Sequence, residues 1–331
     1  MWASALALAA LAETAVIPVL VISYFPTDGD KIDIRVTGDW GAPYEETRAK
    51  TQRLTHEACA ALEKGATFRG YKNPGAPSAI DYQIVGQIEY KEALPTYPKR
   101  GNEAPLVDYG QIMRRVDIAK FVEDAGVKEV WIWGYHGGKV GLWESNLSSP
   151  TGDVSNSDRN ESDLPKLKST YTVYHYNYQR GLGEMLENHM HQVEHLLNHV
   201  DGRDTAPPEK WPELLFWGKF VGSDVSHKLI TEPKRCGWTH YAPNSETDYD
   251  WQNPRFVETD IEDWRPDGIG KTQKMNADRW NRDPIQWRIY WMQALPGLNH
   301  GLTYKGRKLR NWWSFKADWD RAKREKWTLV E

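Results

Sequence analysis

The run Ile17 to Phe25 (IPVLVISYF) is apolar, β-branched and aromatic and stops at Pro26, so it predicts a buried strand. Glu45 to Lys64 carries helical spacing through Leu54, Ala58, Ala61 and Leu62, with Gly65 as the stop. Asp81 to Tyr90 reads as a second strand. Asp108 caps a helix expected to run to about Asp124, with Ile112, Val116, Phe121 and Val122 as its apolar positions and Gly126 beyond its end. Val127 to Tyr135 (VKEVWIWGY) and Tyr171 to Tyr178 (YTVYHYNY) read as strands three and four, and Gly181 to Val200 is the most strongly patterned helix. Strands alternating with helices predict an α/β fold: a mostly parallel sheet flanked by helices.

Two stretches break the alternation. His136 to Ser169 is a polar insertion rich in Ser, Asn and Gly. Beyond residue 223 the periodicity dissolves into Trp, Asp, Asn and Pro, without a repeat of fixed period. The expectation is one domain over 1–331, with an α/β core at 14–222 and an irregular, Trp-rich C-terminal wrap at 223–331 packing on it.

Composition sharpens this picture in one respect. The 331 residues include 17 Trp and 16 Tyr against 7 Phe, an excess of flat rings with a polar handle that suits stacking on a polysaccharide or other extracellular polymer. A net charge of −4 leaves no basic footprint for nucleic acid. Met1 to Ala12 is small and apolar and ends in Ala10-Leu11-Ala12, which looks like a signal-peptidase site, although no Lys or Arg precedes the run. Glu13 and Pro18 interrupt any transmembrane span, so the chain reads as secreted. Asn146-Leu147-Ser148 and Asn160-Glu161-Ser162 are glycosylation sequons. The two cysteines, Cys59 and Cys236, allow one disulfide and no Cys-rich metal site.

In open α/β sheets ligands bind beyond the carboxyl ends of the strands. That places His136, Trp143, Glu144 and Asn146 after strand three, and Asn177 and Arg180 after strand four, among the substrate-contacting candidates. Trp143 beside Glu144 suits a sugar site, with the ring stacking on a pyranose and the carboxylate moving a proton. A second carboxylate would come from Glu184, Glu194, Asp248, Asp250 or Asp263. Arg180, at a Gly-rich strand-to-helix turn, offers a fork for a carboxylate, sulfate or phosphate. The first functional reading is therefore a hydrolase or lyase acting on carbohydrate polymer by carboxylate and His acid–base chemistry, with no cofactor required. There is no G-x-S-x-G elbow for a serine hydrolase.

The long helix holds His189, His191, His195 and His199. Leu182, Leu186, His189, Val193, Leu196, Leu197 and Val200 form its apolar stripe, making His189 a hydrogen-bonded core residue. Glu184, His191, His195 and Asn198 lie opposite, with Glu187 and Glu194 on one flank. If the C-terminal region covers this face, His191 and Glu194, three residues apart, suit acid–base work without metal. His191-Gln192-Val193-Glu194-His195 also resembles the H-x-x-E-H motif of the inverzincin zinc peptidases. That resemblance implies His191 and His195 as zinc ligands, Glu194 as the base, and a third ligand downstream, such as Glu246, Glu258, Glu262 or His240. His240 also falls in a polar cluster with Cys236 and is a candidate substrate contact. A zinc hydrolase or peptidase is thus the alternative reading, and a non-catalytic glycan- or protein-binding module is a third.

Overall fold

Strand β1 (Ala15–Tyr24) is the buried spine of the fold, as its β-branched run requires. Helix α1 (Tyr44–Gly65) follows, then β2 (Ile80–Tyr90), α2 (Tyr109–Arg115), β3 (Glu129–Gly134), β4 (Ser145–Ser148), β5 (Val154–Ser155), β6 (Tyr171–Asn177) and α3 (Leu182–Val200). Toward the C-terminus come α4 (Pro284–Met292), α5 (Ser314–Ala317) and α6 (Trp319–Arg324). The computed structural model describes residues 13–98, 104–157 and 163–331.

Six strands form a mixed sheet in the order β2-β1-β3-β6-β4-β5. The first four are parallel: β1 pairs with β2 from Ala15–Ile80 to Tyr24–Tyr90, and β3 pairs with β1 and β6. The alternation of strands and helices predicts this parallel part. It does not predict β4 and β5, which form inside the polar insertion and pair antiparallel with β6 and with each other. Their sequences, SNLS and VS, are too short and too polar to show a period of two, yet every residue in them is buried. The helix expected to continue to Asp124 ends at Arg115, where Asp117 takes a left-handed conformation (φ 53°) and the chain turns before a second helical turn, Lys120–Asp124.

Helix α1 packs against α3 and α4. The approach to α4 is so close that a Cβ on Gly65 would lie 2.7 Å from a Met292 side-chain carbon. Within residues 223–331, Trp264, Trp280, Trp287, Trp291, Trp312 and Trp313 are fully buried. Four of these indoles hold irregular backbone: Trp264 Nε1 donates to Lys219 O (2.8 Å), Trp280 to Trp251 O (2.8 Å), Trp291 to Gly237 O (2.9 Å) and Trp312 to Leu329 O (3.1 Å). A buried Trp fills volume and satisfies a carbonyl that no regular element covers. That role accounts for much of the tryptophan excess without a ligand.

One buried ion pair joins α5 to the sheet. Lys316 Nζ lies 2.7 Å from Glu129 Oε1 on β3 and also donates to Tyr174 Oη (2.6 Å). His189 is the core histidine its stripe predicts, with Nε2 2.7 Å from Tyr176 Oη and Nδ1 3.1 Å from Lys316 Nζ. Cys59 and Cys236 are both free and buried, so they form no disulfide with each other. Asp28-Gly29-Asp30 turns a short hairpin between Thr27–Asp28 and Lys31–Ile32. Among the described residues no helix is long and apolar enough to cross a membrane. The apparent cleavage site at Ala10-Leu11-Ala12 and the sequon at Asn160 lie outside the described residues.

Candidate metal centre

Helix α3 is buried on nearly every side, because β4 and β5 cover one flank while α1, α4 and α5 cover others. Its polar face is therefore enclosed, and enclosed His and Glu require partners. His191 Nδ1 bonds Glu194 Oε2 at 3.1 Å, one turn along the helix. Glu194 Oε1 accepts the backbone N–H of Thr239 at 2.7 Å, so one carboxylate fastens the helix to the loop that bears His240. That loop owes its shape to Gly237 (φ 74°), where a Cβ would sit 2.1 Å from Tyr241 O. Trp238 and Tyr241 close it with reciprocal backbone bonds of 2.9 and 3.0 Å.

The result is a convergence of three acceptors. His191 Nε2 lies 3.0 Å from His240 Nε2, His240 Nε2 lies 3.3 Å from Glu187 Oε1, and His191 Nε2 lies 3.9 Å from the same oxygen. Each imidazole faces a carboxylate with its other nitrogen: Glu194 at His191 Nδ1 (3.1 Å) and Asp248 at His240 Nδ1 (3.1 Å). A carboxylate only accepts, so each Nδ1 carries a hydrogen, and an imidazole in its neutral form then presents a lone pair at Nε2. Two lone pairs and a carboxylate oxygen then face one another, an arrangement that calls for a cation between them. The circle through three points spaced 3.0, 3.3 and 3.9 Å has a radius of about 2.0 Å, the length of a Zn–N or Zn–O bond. The carboxylate–histidine pairs are the outer contacts that orient metal-binding imidazoles. Glu187 is itself held by Arg288, which contacts its second oxygen, and by Tyr249 Oη (3.1 Å).

Without a cation, protons on the imidazoles take its place, and the groups then shift one another. Burial would raise the Glu187 carboxyl, but hydrogen bonding from His240 and the charges of Arg288 and His191 bring it down to about 2. Burial would lower His191, yet Glu194, Glu144 and Glu187 together hold it above the usual histidine value. Burial likewise works against ionised Glu194, and the bonds from His191 and Thr239 more than offset it. Burial raises Glu144 above the usual carboxylate range, and nearby His191 pulls only partly against that.

Both imidazoles of the cluster open onto a cavity of about 650 Å³. Glu144, His191, Glu194, His195 and His240 line it together with Trp143, Trp217, Trp238, Asn156 and Arg203. Of the residues singled out in the sequence, the cavity thus gathers Trp143, Glu144, His191, Glu194, His195 and His240. His195 does not join the triad: its Nε2 bonds Asn156 Oδ1 at 2.9 Å, so the helix supplies Glu187 and His191 rather than His191 and His195. The i,i+4 pair that meets His240 is Glu187 and His191 instead of the expected His191 and His195. Trp143 stacks on Tyr109 (4.0 Å between ring centres), which fixes the loop carrying Glu144.

Four expected substrate contacts do not line this cavity. His136 Nδ1 bonds Val140 O at 2.6 Å and closes a local turn. Asn146 is fully buried within β4, where pairing with both β6 and β5 enclosed it. Asn177 donates to Glu184 (2.9 Å), and exposed Arg180 pairs with the same Glu184 (3.1 Å). Cys236 is fully buried, and burial pushes its thiol far above the ordinary value, so it offers no thiolate to His240. The site sits beside the antiparallel edge of the sheet, because the insertion after β3 folds into β4 and β5 there and carries Trp143 and Glu144 with it. Asp248 entered only as one of several possible second carboxylates, and Glu187, Tyr249, Arg288 and Arg203 carried no individual signal as site residues, since their roles depend on a loop and a helix far apart in sequence. Comparison with protein-family models, with curated proteins and with solved structures finds no match to this chain.

Proposed function

We propose that the protein is a metal-dependent hydrolase with a single zinc-type centre held by Glu187, His191 and His240. The observation that supports this most strongly is the convergence of three acceptor atoms around a point about 2.0 Å from each, with both histidines oriented by carboxylates. Two imidazoles and one carboxylate are a donor set that leaves a coordination position open, as hydrolytic zinc sites require. A bound cation would supply Lewis acidity and a water of lowered pKa. This chain's own part is to orient the ligands through Glu194, Asp248 and Arg288, and to place Glu144 on the same cavity wall as the proton-carrying group. Trp143, Trp217 and Trp238 give the cavity flat apolar surfaces that suit an aromatic or saccharide substrate.

The reading is tested by elemental analysis of purified protein equilibrated with zinc and then desalted. About one zinc per chain is expected, retained in His195→Ala and lost in His191→Ala and in His240→Ala. Loss in His195→Ala with retention in His240→Ala would shift the ligand set to the H-x-x-E-H pair. No stoichiometric metal in any form refutes the centre. A panel of chromogenic esters, peptides and glycosides then identifies the bond cleaved, and turnover should vanish with the metal.

A further inference from the structure

We propose that the same cavity contains an oxyanion subsite centred on Arg203, so that the substrate carries a carboxylate, sulfate or phosphate group. The chemistry of the reaction rests on the metal-hydrolase reading, whereas binding at this subsite does not.

Arg203 stands in the turn that ends α3, anchored by its backbone N–H to Asn198 O at 2.9 Å. Its guanidinium lies over Trp217 at 4.4 Å and over Trp211 at 5.0 Å. Both rings are fixed by their own N–H groups, Trp211 to Ala206 O (3.2 Å) and Trp217 to Asp224 O (3.0 Å). The fork is thus held by packing against flat rings, in the manner suited to planar recognition of an anion. What it lacks is an acceptor. Other buried or half-buried arginines have one: Arg235 contacts Asp260, Arg69 contacts Asp263 and Arg288 contacts Glu187. Among the described residues no carboxylate lies within ion-pairing distance of Arg203, and none of its guanidinium N–H groups is bonded. Burial already costs this cation some of its hydration. A desolvated guanidinium on a cavity wall, with donors unassigned and aromatic supports in place, is built to take an oxyanion from a ligand. His227, packed against Trp217 (5.2 Å) and Trp238 (5.9 Å), lines the same region and adds an imidazole donor beside the guanidinium. The position could not have been chosen from sequence: Arg180 carried the stronger local signal, and it pairs with Glu184.

The test is titration of metal-stripped and zinc-loaded protein with benzoate, phenyl sulfate, phenyl phosphate and neutral benzyl alcohol, followed by tryptophan fluorescence and calorimetry. At least one of the three anions should bind the metal-stripped protein. Its affinity should fall by about 10- to 100-fold in Arg203→Gln, the size expected for lost charge-assisted hydrogen bonds, and by less in Arg203→Lys. Benzyl alcohol should be indifferent to both changes. Which of the three anions binds best identifies the group. The subsite is refuted if no anion binds, if Arg203→Gln binds as well as the parent, or if binding requires zinc and ignores Arg203. Anion binding that depends on Arg203 in a protein that holds no zinc would keep the subsite and remove the metal reading. Thermal midpoints of both variants are measured alongside, and should Arg203→Gln fail to fold, Arg203→Lys decides: undiminished affinity there refutes the fork.

Discussion

Replacing Lys316 with methionine should destabilise the fold far more than removing both members of its ion pair. Lys316 and Glu129 are each about 3% exposed or less, with the ammonium 2.7 Å from Glu129 Oε1. The variant keeps most of the side-chain volume but leaves a carboxylate in the sheet core, supported only by Trp131 Nε1 at 2.8 Å and Tyr82 Oη at 3.4 Å. It also strips Tyr174 Oη and His189 Nδ1 of the Lys316 donor. Breaking one side of a buried pair costs about 3–5 kcal/mol, a large part of a typical unfolding free energy of 5–15 kcal/mol. With a urea slope of about 3 kcal/mol/M, the unfolding midpoint should fall by about 1–1.7 M. The double variant Lys316→Met, Glu129→Gln should recover at least about half of that loss. Its neutral amide still accepts from Trp131, and its NH₂ group can donate to His189 or Tyr174. The assay is urea unfolding followed by far-UV circular dichroism and tryptophan fluorescence. A midpoint shift below about 0.3 M for the single variant, or a double variant as weak as the sum of both singles, would refute the reasoning.

Three further outcomes follow from the same contacts. Burial raises Asp201, at the C-terminal end of α3, to about 7 from an ordinary 3.8, despite its bond from Phe216 N–H (2.8 Å). A raised carboxyl binds its proton more tightly in the folded state, so its contribution is intact below about pH 4 and is lost as pH rises toward and through 7. Asp201→Asn should therefore gain stability over the parent between pH 5 and pH 8.5, by up to a few kcal/mol, and a difference that does not change with pH would contradict this. Glu194→Gln should lower zinc affinity by about 10- to 100-fold, read by competition with a chromogenic chelator, because the amide holds His191 Nδ1 less strongly; unchanged affinity would show that the contact orients nothing. Cys59 and Cys236 should both resist a thiol reagent in native buffer and react in denaturant, since burial pushes the Cys59 thiol up to about 12 and the Cys236 thiol well above its ordinary value; rapid native labelling of either would contradict their burial.

The parallel half of the sheet and both long helices were legible because their patterns are long and regular. The Ile17–Phe25 run, for instance, falls within one residue of the end of β1 and two of its start. The antiparallel edge was not, since the three buried polar residues and single leucine of SNLS carry no alternation, and their burial comes from β6 and β5 on either side. Helix α4 was missed for the opposite reason. PIQWRIYWM is buried nearly all round and so shows no stripe, although Asp283 capping Gln286 N–H and Pro284 at the first position mark its start. At the site, the helix face with His191 and Glu194 was evident from spacing alone. The choice of Glu187 and His240 over His195 depends on where a glycine-shaped loop nearly fifty residues later meets the helix, and no local pattern encodes that meeting.

The burial of Asn146 bears on how the protein is made. Its side chain lies inside β4 with no exposed surface, yet Asn146-Leu147-Ser148 is an acceptor for N-linked oligosaccharide. In a cell that glycosylates nascent chains on export, that asparagine is presented to the transferase before β6 and β5 close over it. An oligosaccharide attached there could not be accommodated, and the edge of the sheet, with the loop that carries Trp143 and Glu144, would be lost with it. Natively folded molecules from such a host should be unmodified at Asn146, any glycosylated there should be held back with chaperones, and yield should improve with Ser148→Ala or in a host without the transferase.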